Sequence, residues 1–111
     1  MKLKVQPDKK IEDGRHEGVI VAVEYREKPF EYTDLVIEFE GGKRIKYGVP
    51  TAMSPSSKLG RLVEEFTGND PIVGGEIDPD IVFINQKCSF QTITTGKFSN
   101  VVKDSVRRLK K

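Results

Sequence analysis

The chain has 111 residues, of which 36% are apolar and 32% are charged, so it can build one domain around one hydrophobic core. Its 19 basic and 17 acidic side chains leave a formal charge of +2, so net charge alone favours no class of partner. The one cysteine, Cys88, cannot form an internal disulfide, and no apolar run is long enough to cross a membrane. We therefore expect a soluble protein of the cytoplasm, or of the host cytoplasm if the source is viral.

The first half of the chain predicts three strands joined as a meander. Residues 1–13 are basic and mixed, which indicates an N-terminal arm or a short strand. Apolar residues then alternate along 18–26, 32–40 and 43–49, and the glycine pair at 41–42 indicates a tight hairpin between the last two. The residues expected to share a face are Val19, Val21, Val23 and Tyr25 in the first strand, Leu35, Ile37 and Phe39 in the second, and Ile45, Tyr47 and Val49 in the third.

The segment SPSSKLGRLVEEFTG predicts one helix over 55–67. Four apolar residues recur at the helical period and form one stripe, and they are Leu59, Leu62, Val63 and Phe66. Ser54 is expected to be the N-cap, Pro55 suits the first helical position, and Gly68 suits the left-handed C-terminal position. The stripe predicts that one face of the helix is buried.

The same helix breaks two local rules. Lys58 and Arg61 lie in its first half, whereas Glu64 and Glu65 lie in its last turn, the reverse of what the helix dipole favours. Gly60 in the interior costs about 1 kcal/mol relative to alanine. Such a departure can mark function, so one hypothesis is that Gly60 admits a close neighbour and that Lys58 and Arg61 face a polyanion or a partner. The alternative is a local pair between Arg61 and Glu65.

The second half of the chain predicts a loop, two strands and a basic tail. Residues 69–80 are rich in Pro, Gly, Asp and Asn, and 78–86 indicate either a helical turn or a lead-in to a strand. Strands are predicted over 87–95 and 98–106, with Cys88, Phe90 and Thr92 on one face of the first. The tail at 107–111 is basic.

Three strands, one helix and two strands are the order of a five-stranded OB-fold barrel, which would make all 111 residues one all-β domain with one helix. In that fold the helix between the third and fourth strands lies across the open end of the barrel. We therefore expect its apolar stripe to be buried against Val21, Ile37 or Phe90.

Residues for catalysis or metal binding are few, so no enzyme, cofactor or metal is expected. His16 is interpreted as a surface loop residue and Cys88 as a core residue, although the sequence leaves a Cys88–His16 pair open. Glu76, Asp78 and Asp80 lack the spacing of a calcium loop and are interpreted as an acidic turn.

Residues for nucleic-acid binding are more numerous. OB-folds bind oligonucleotides across strands two and three, between the loops that join strands one to two and four to five. The predicted site comprises Arg26, Lys28, Phe30, Tyr32, Arg44, Lys46, Lys97 and Phe98. Cations would contact phosphates and rings would stack on bases. Two observations oppose this interpretation: Phe30 or Phe98 could pack at a barrel end, and acidic residues nearby (Glu27, Glu31, Asp34 and Glu38) would repel phosphates.

Four segments, DGRHEGVIVAVEY, YTDLVIEFEGGKRIKYGVP, SPSSKLGRLVEEFTG and KCSFQTITTGKFSNV, together resemble small OB-type proteins that phages and some archaeal elements carry beside replication genes. The resemblance covers most of residues 14–106. It implies binding of single-stranded DNA in replication, recombination or repair. RNA remains open as the ligand, as does a homo-oligomer, and no membrane partner is expected. The alternative is a protein–protein interaction module of phage or archaeal origin built on the same barrel.

Overall fold

A computed structural model of the protein describes residues 11–69, 71–96 and 98–109. Within these ranges the chain forms a mostly antiparallel sheet of six strands with two short helices. The elements in chain order are β1 (Gly14–Arg26), β2 (Tyr32–Phe39), β3 (Lys43–Pro50), α1 (Lys58–Thr67), α2 (Pro79–Phe83), β4 (Lys87–Thr95), β5 (Phe98–Val101) and β6 (Arg107–Arg108). Residues 1–10 of the predicted arm lie outside the described residues.

Neighbouring strands follow the order β3-β2-β1-β4-β5, and β6 pairs with β4 beside β5. The strands at the two ends of this order, β3 and β5, approach each other to within 8 Å between Cα atoms. They share no ladder of hydrogen bonds in the described part of the chain. The described sheet is therefore antiparallel as predicted but not closed, and the barrel stays a prediction.

Strand β1 differs from its prediction in length and in register. It begins at Gly14 rather than at residue 18, because its first part pairs with β4 while its second part pairs with β2. The register shifts between Ile20 and Ala22, which leaves Val21 out of the ladder as a bulge. Ile20 is therefore in the core with 0% exposure, and Val23 packs against the same core. The predicted common face of Val19 and Val23 is wrong, because the extra residue Val21 places Val19 opposite Glu38 on one side of the sheet and Val23 opposite Leu35 on the other.

Helix α1 begins three residues later than predicted, and its N-cap is Ser57 rather than Ser54. The Ser57 hydroxyl accepts a hydrogen bond from the Gly60 N–H at 3.0 Å and donates one to the Ser54 carbonyl oxygen at 3.0 Å. This turn holds the Ser54 carbonyl so close that a Cβ on Gly60 would overlap it. The close neighbour that Gly60 admits is therefore its own preceding turn. At the other end Gly68 is left-handed, as predicted, with φ 81°.

The apolar stripe of α1 is buried, as predicted, and none of its four residues is more than 8% exposed. It forms one core with Ile37 and Phe90, whereas Val21 is not part of that core. Residues 79–83 form the short helix α2, and the Phe83 ring meets the Phe66 ring edge-on with 5.4 Å between centroids. Helix α1 packs against β3 and β6, so it covers the space between the two.

The predicted fifth strand, 98–106, is divided into two strands by a turn. Strand β5 ends at Val101, and the chain turns at Asp104, which has a φ of 62°. The Ser105 hydroxyl accepts a hydrogen bond from the Gln91 N–H at 3.1 Å, and the Tyr47 hydroxyl accepts one from the Asp104 N–H at 3.3 Å. These bonds attach the turn to β4 and β3.

After that turn the chain returns to the sheet. Val106 is in the core with 1% exposure, and Arg107 and Arg108 pair with Ser89 and Cys88 of β4. The basic tail predicted at 107–111 therefore begins as a strand, while Lys110 and Lys111 lie outside the described residues.

Candidate nucleic-acid interface

The outer face of β1–β3 and the adjoining β1–β2 turn contain six of the eight residues of the predicted site. We call this face the paired face, because its cations form ion pairs with carboxylates. Cross-strand register defines its rows, which are Arg26–Tyr32–Pro50, Glu24–Asp34–Gly48, Ala22–Val36–Lys46 and Val19–Glu38–Arg44. Residues opposite one another on neighbouring strands point to the same side of a sheet. Arg26 and Tyr32 are therefore neighbours at one end of the face, and Arg44 and Lys46 lie further along β3.

Arg26 is held in place by Asp34. Its Nε donates to Asp34 Oδ2 at 2.6 Å and its Nη2 to Asp34 Oδ1 at 2.9 Å, and this bonding raises the Arg26 pKa. The guanidinium lies 5.1 Å from the centroid of the Tyr32 ring. Gly48 leaves the room for this arrangement, because a Cβ there would overlap the Asp34 carboxylate. The result is a fixed planar platform whose charge is compensated.

The other two cations of this face also have carboxylate partners. Arg44 lies 3.0 Å from Glu38 Oε2, and Lys46 Nζ lies 2.9 Å from Glu24 Oε1. All four side chains are 40% or more exposed, so each pair adds little to stability. A phosphate that approached Arg44 or Lys46 would nevertheless have to compete with the carboxylate already bound. Two of the acidic residues that oppose binding in the sequence, Asp34 and Glu38, are thus direct partners of predicted phosphate contacts, and Glu24 is a third such partner.

The turn between β1 and β2 presents an exposed aromatic ring. Phe30 is 72% exposed, so the alternative that it packs at a barrel end is wrong. Lys28, which is joined to Pro29 by a cis peptide bond, is exposed in the same turn and has no ion pair among the described residues. The turn therefore offers one ring and one available cation beside the Arg26–Tyr32 platform.

Phe98 is equally exposed, at 73%, but it lies elsewhere. It opens β5 opposite Thr95, on the same side of the sheet as Ile93 and Gln91 of β4. Strand β4 pairs with the beginning of β1, whereas the β1–β2 turn follows the end of β1. The structure therefore separates Phe98 from Phe30 and Tyr32 by the length of β1. Lys97, the eighth predicted residue, lies outside the described residues.

His16 is buried, with 6% exposure, so its interpretation as a surface loop residue is wrong. Its Nδ1 lies 2.7 Å from Glu40 Oε1, and its Nε2 lies 2.8 Å from the Glu12 carbonyl oxygen and 3.0 Å from Thr92 Oγ1. The ring packs against Phe39 and Phe90. The hydrogen bond from His16 lowers the Glu40 pKa. Because β1 begins four residues early, this histidine lies in a strand and joins its start to the end of β2.

The structure does not pair Cys88 with His16, the combination that the sequence leaves open. Cys88 is in the core with 0% exposure, as predicted, and burial raises the pKa of its thiol to about 12. Both ring nitrogens of His16 contact oxygen atoms, and none of these contacts is with Cys88. The described His, Cys, Asp and Glu residues contain no group of three that could hold a metal ion.

A second set of cations lies outside the predicted site. Arg15, Lys103, Arg107 and Arg108 line an open groove of about 590 Å³ beside β4, which we call the basic groove. Two signals in the sequence pointed toward it, the basic run after Val106 and the reversed charges of α1. Neither could place these residues together, because that depends on the turn at Asp104 and on the pairing of β6 with β4.

No model of a known protein family matches this sequence, and a search of curated proteins gave no match either. Among the residues that the structure describes, no helix has the length and apolar character needed to span a membrane. Function is therefore inferred from the residues and from their arrangement.

Proposed function

We propose that this protein is an OB-type barrel that binds single-stranded nucleic acid, with DNA as the first candidate ligand and RNA as the second, and that it does so without catalysis. The strand order β3-β2-β1-β4-β5 supports this, because closure of β3 on β5 would complete an OB barrel. The close approach of β3 and β5 supports it further, as does the position of α1, between β3 and β4 in the chain and in contact with β3 and β6 in the fold.

The observation that carries the proposal is the exposure of Phe30 and Phe98, at 72% and 73%. The Phe30 ring projects from the β1–β2 turn and the Phe98 ring from the first residue of β5, and both lie next to the outer surface of an antiparallel sheet, where a base could stack on them. The Arg26–Tyr32 platform lies beside Phe30 and offers a third stacking surface. Stacking on aromatic rings and on guanidinium planes tolerates any base, so it suits binding without sequence preference.

Single strands fit these features better than duplexes do. The faces of bases are accessible to rings only when the bases are not stacked in a duplex. A role in replication, recombination or repair, and an origin in a phage or an archaeal element, would follow from the resemblance described above.

The test is fluorescence anisotropy with a labelled oligo-dT and, as a control, a duplex of the same length. The proposal predicts binding of oligo-dT that weakens with salt, and weaker binding of the duplex. Phe30→Ala should lose roughly 1–3 kcal/mol of binding free energy for each base released, with an unchanged dependence on salt. A melting curve for each variant verifies that it is folded. Absence of binding at low salt to both oligo-dT and an oligo-U of the same length would refute the function.

A second candidate function, a protein-docking module, is favoured by a different surface. Three exposed aliphatic residues, Ile72, Val73 and Ile81, are each at least 79% exposed beside an apolar groove of about 260 Å³ lined in part by Val63 and Val82. Acidic residues of the same connection, Glu76, Asp78 and Asp80, adjoin these aliphatic residues. This surface suits a partner segment that is apolar and basic. Ile72→Asp would abolish binding of such a peptide and leave oligo-dT binding intact.

A further inference from the structure

The basic groove differs from the paired face in the partners of its cations. Arg107 lies 3.8 Å from Glu65 and Arg15 lies 3.7 Å from Glu17, which are loose contacts of largely exposed groups. The Glu65 carboxylate also accepts a hydrogen bond from the Arg108 backbone N–H at 3.3 Å, but among the described residues no carboxylate forms an ion pair with the side chain of Lys103 or Arg108. Asp104 lines the groove as well but forms no such pair there. The cations of the groove are thus available to an anionic ligand.

The positions of these cations are fixed by the fold. Strand β4 runs along the groove, with Gln91 opposite Arg15 of β1 and Ser89 opposite Arg107 of β6. The turn that carries Lys103 is attached to β4 by Ser105, whose hydroxyl accepts from the Gln91 N–H at 3.1 Å. The exposed Gln91 side chain therefore lies between the cations, and its amide can donate a hydrogen bond to a phosphate, whereas the Ser105 hydroxyl already donates to the Val102 carbonyl oxygen at 2.6 Å.

Helix α1 adds a cation at one end of this groove. Lys58, in its first turn, lies next to Lys103, and this contact, together with burial, lowers the Lys58 pKa, while the Asp104 carboxylate acts in the opposite direction. An anion between the two lysines would offset the repulsion between their charges. The neighbours of α1 therefore account for its reversed charges, because Lys58 lies next to Lys103 and Glu65 lies next to Arg107.

The groove is continuous with a stacking surface. Gln91, Ile93 and Thr95 point to the outer side of β4, and Phe98 lies opposite Thr95 on that same side. Gln91 and Thr95 are four residues apart, about 13 Å along an extended strand. Cations that lie along an open groove, with an exposed ring beyond them, suit an extended polyanion that carries bases better than they suit a compact anion.

We infer that the basic groove binds consecutive phosphates of a single-stranded nucleic acid and that Phe98 stacks on one of its bases. This inference rests on the proposed function and assigns the phosphate contacts to a different surface from the paired face. The two surfaces join across the sheet, because Val19 of β1 lies opposite both Glu38 of the paired face and Lys87 of β4. One strand could therefore pass from the Arg26–Tyr32 platform to the groove.

The test is a salt titration of oligo-dT binding by the double variant Lys103→Ala/Arg108→Ala. For single strands the logarithm of affinity falls by about 0.7 per phosphate contact for each tenfold rise in salt, so each contact is worth about 5-fold at 0.1 M. The double variant should bind about 25-fold more weakly at 0.1 M salt, and its salt slope should be shallower by about 1.4. The difference from the unmodified protein should nearly vanish near 1 M salt.

Two control variants separate position from charge. Lys103→Arg/Arg108→Lys keeps both charges and should keep the salt slope. Lys43→Ala removes one cation from the β2–β3 hairpin, outside both surfaces, and should change affinity less than either single groove variant, Lys103→Ala or Arg108→Ala. Phe98→Ala should weaken binding with an unchanged slope, because it removes a ring and no charge. Melting curves verify that every variant folds.

The outcomes distinguish this inference from the proposed function. If the unmodified protein binds neither oligo-dT nor oligo-U at any salt concentration, the function itself is refuted, and the groove assignment with it. If the unmodified protein binds with a clear salt slope and the double alanine variant retains that slope, only the groove assignment is overturned.

Discussion

The paired face and the basic groove both carry arginines and lysines, but their cations differ in what they contact. On the paired face, Arg26, Arg44 and Lys46 each have a carboxylate oxygen within 3.0 Å. In the groove the shortest side-chain ion pair is 3.7 Å, and the side chains of Lys103 and Arg108 form none among the described residues. Cations with a bound carboxylate make a surface nearly neutral to a phosphate, whereas cations without one remain available to it. If the groove binds phosphates as inferred, the pairing of the cations, rather than the number of basic residues, distinguishes it from the paired face.

The largest effect is expected from a change that damages both surfaces together. Phe66 is 2% exposed and packs edge-on against Phe83 beneath α1, which contacts both β3 and β6. Phe66→Ala should lower the free energy of unfolding by roughly 3–5 kcal/mol, because it leaves a cavity in the core shared by the two surfaces. Chemical denaturation measures this. A loss below about 1 kcal/mol would mean that α1 is not part of that core.

An intermediate effect is expected from removing the carboxylates that distinguish the two surfaces. Glu24→Gln/Glu38→Gln keeps the shape of both side chains but takes the negative partners away from Lys46 and Arg44. If a bound strand crosses this face, each released cation can add a phosphate contact. Affinity for oligo-dT should then rise by up to about 5-fold per cation at 0.1 M salt, with a steeper salt slope.

A charge-matched control verifies that this gain is local. Glu76→Gln/Asp80→Asn removes the same charge from the connection before β4, where neither residue has an ion pair in the described part of the chain. Affinity in this control should rise less than in Glu24→Gln/Glu38→Gln. Equal gains in the two double variants would show that only net charge changed, and no gain in either would show that the strand does not reach the paired face.

The sequence predicted the parts of the fold that depend on local pattern. The strands at 32–40, 43–49 and 87–95 agree with the structure to within one residue, and the stripe of α1 is buried because its period alone defines one face. The errors occur where distant pairing decides. The bulge at Val21 shifts the faces of β1 because two different strands pair with its two parts. The turn at Asp104 depends on two hydrogen bonds between distant parts of the chain. One runs from the Gln91 N–H to the Ser105 hydroxyl, and the other runs from the Asp104 N–H to the Tyr47 hydroxyl.

For the candidate site as well, the sequence predicted individual residues but not their arrangement. The sequence places Phe30 and Phe98 at the loops that join strands one to two and four to five, and both rings are exposed. Their separation along β1 follows from the register between β1 and β4, which the alternation of apolar residues does not define. The groove could not be predicted, since Lys58, Lys103 and Arg108 come from a helix, a turn and a two-residue strand. The interpretation of His16 as a surface residue is wrong because the sequence does not reveal its side-chain partners Glu40 and Thr92, which lie 24 and 76 residues away.

The smallest effect is expected from the contact between His16 and Glu40, which lies next to the junction of the two surfaces. Glu40→Gln keeps a hydrogen-bonding group but removes the charge opposite His16, so the thermal midpoint should fall slightly at pH 7. The effect is small because the Glu40 side chain is 49% exposed.

The most specific test of this contact is the pH dependence of the thermal midpoint. Folding lowers the Glu40 pKa below its ordinary value of 4.5, chiefly through the hydrogen bond from His16. The folded state therefore favours the carboxylate, so this stabilisation is complete above pH 4.5 and is lost as the pH falls through the lower folded value. The midpoints of Glu40→Gln and the unmodified protein should differ at pH 7 and converge in acid.

The same variant tests whether the contact between His16 and Glu40 positions the groove, because Arg15 of the groove directly precedes His16 in β1. The oligo-dT salt slope of Glu40→Gln at pH 7 should equal that of the unmodified protein. A shallower slope would show that the start of β1, and with it Arg15, depends on the buried pair.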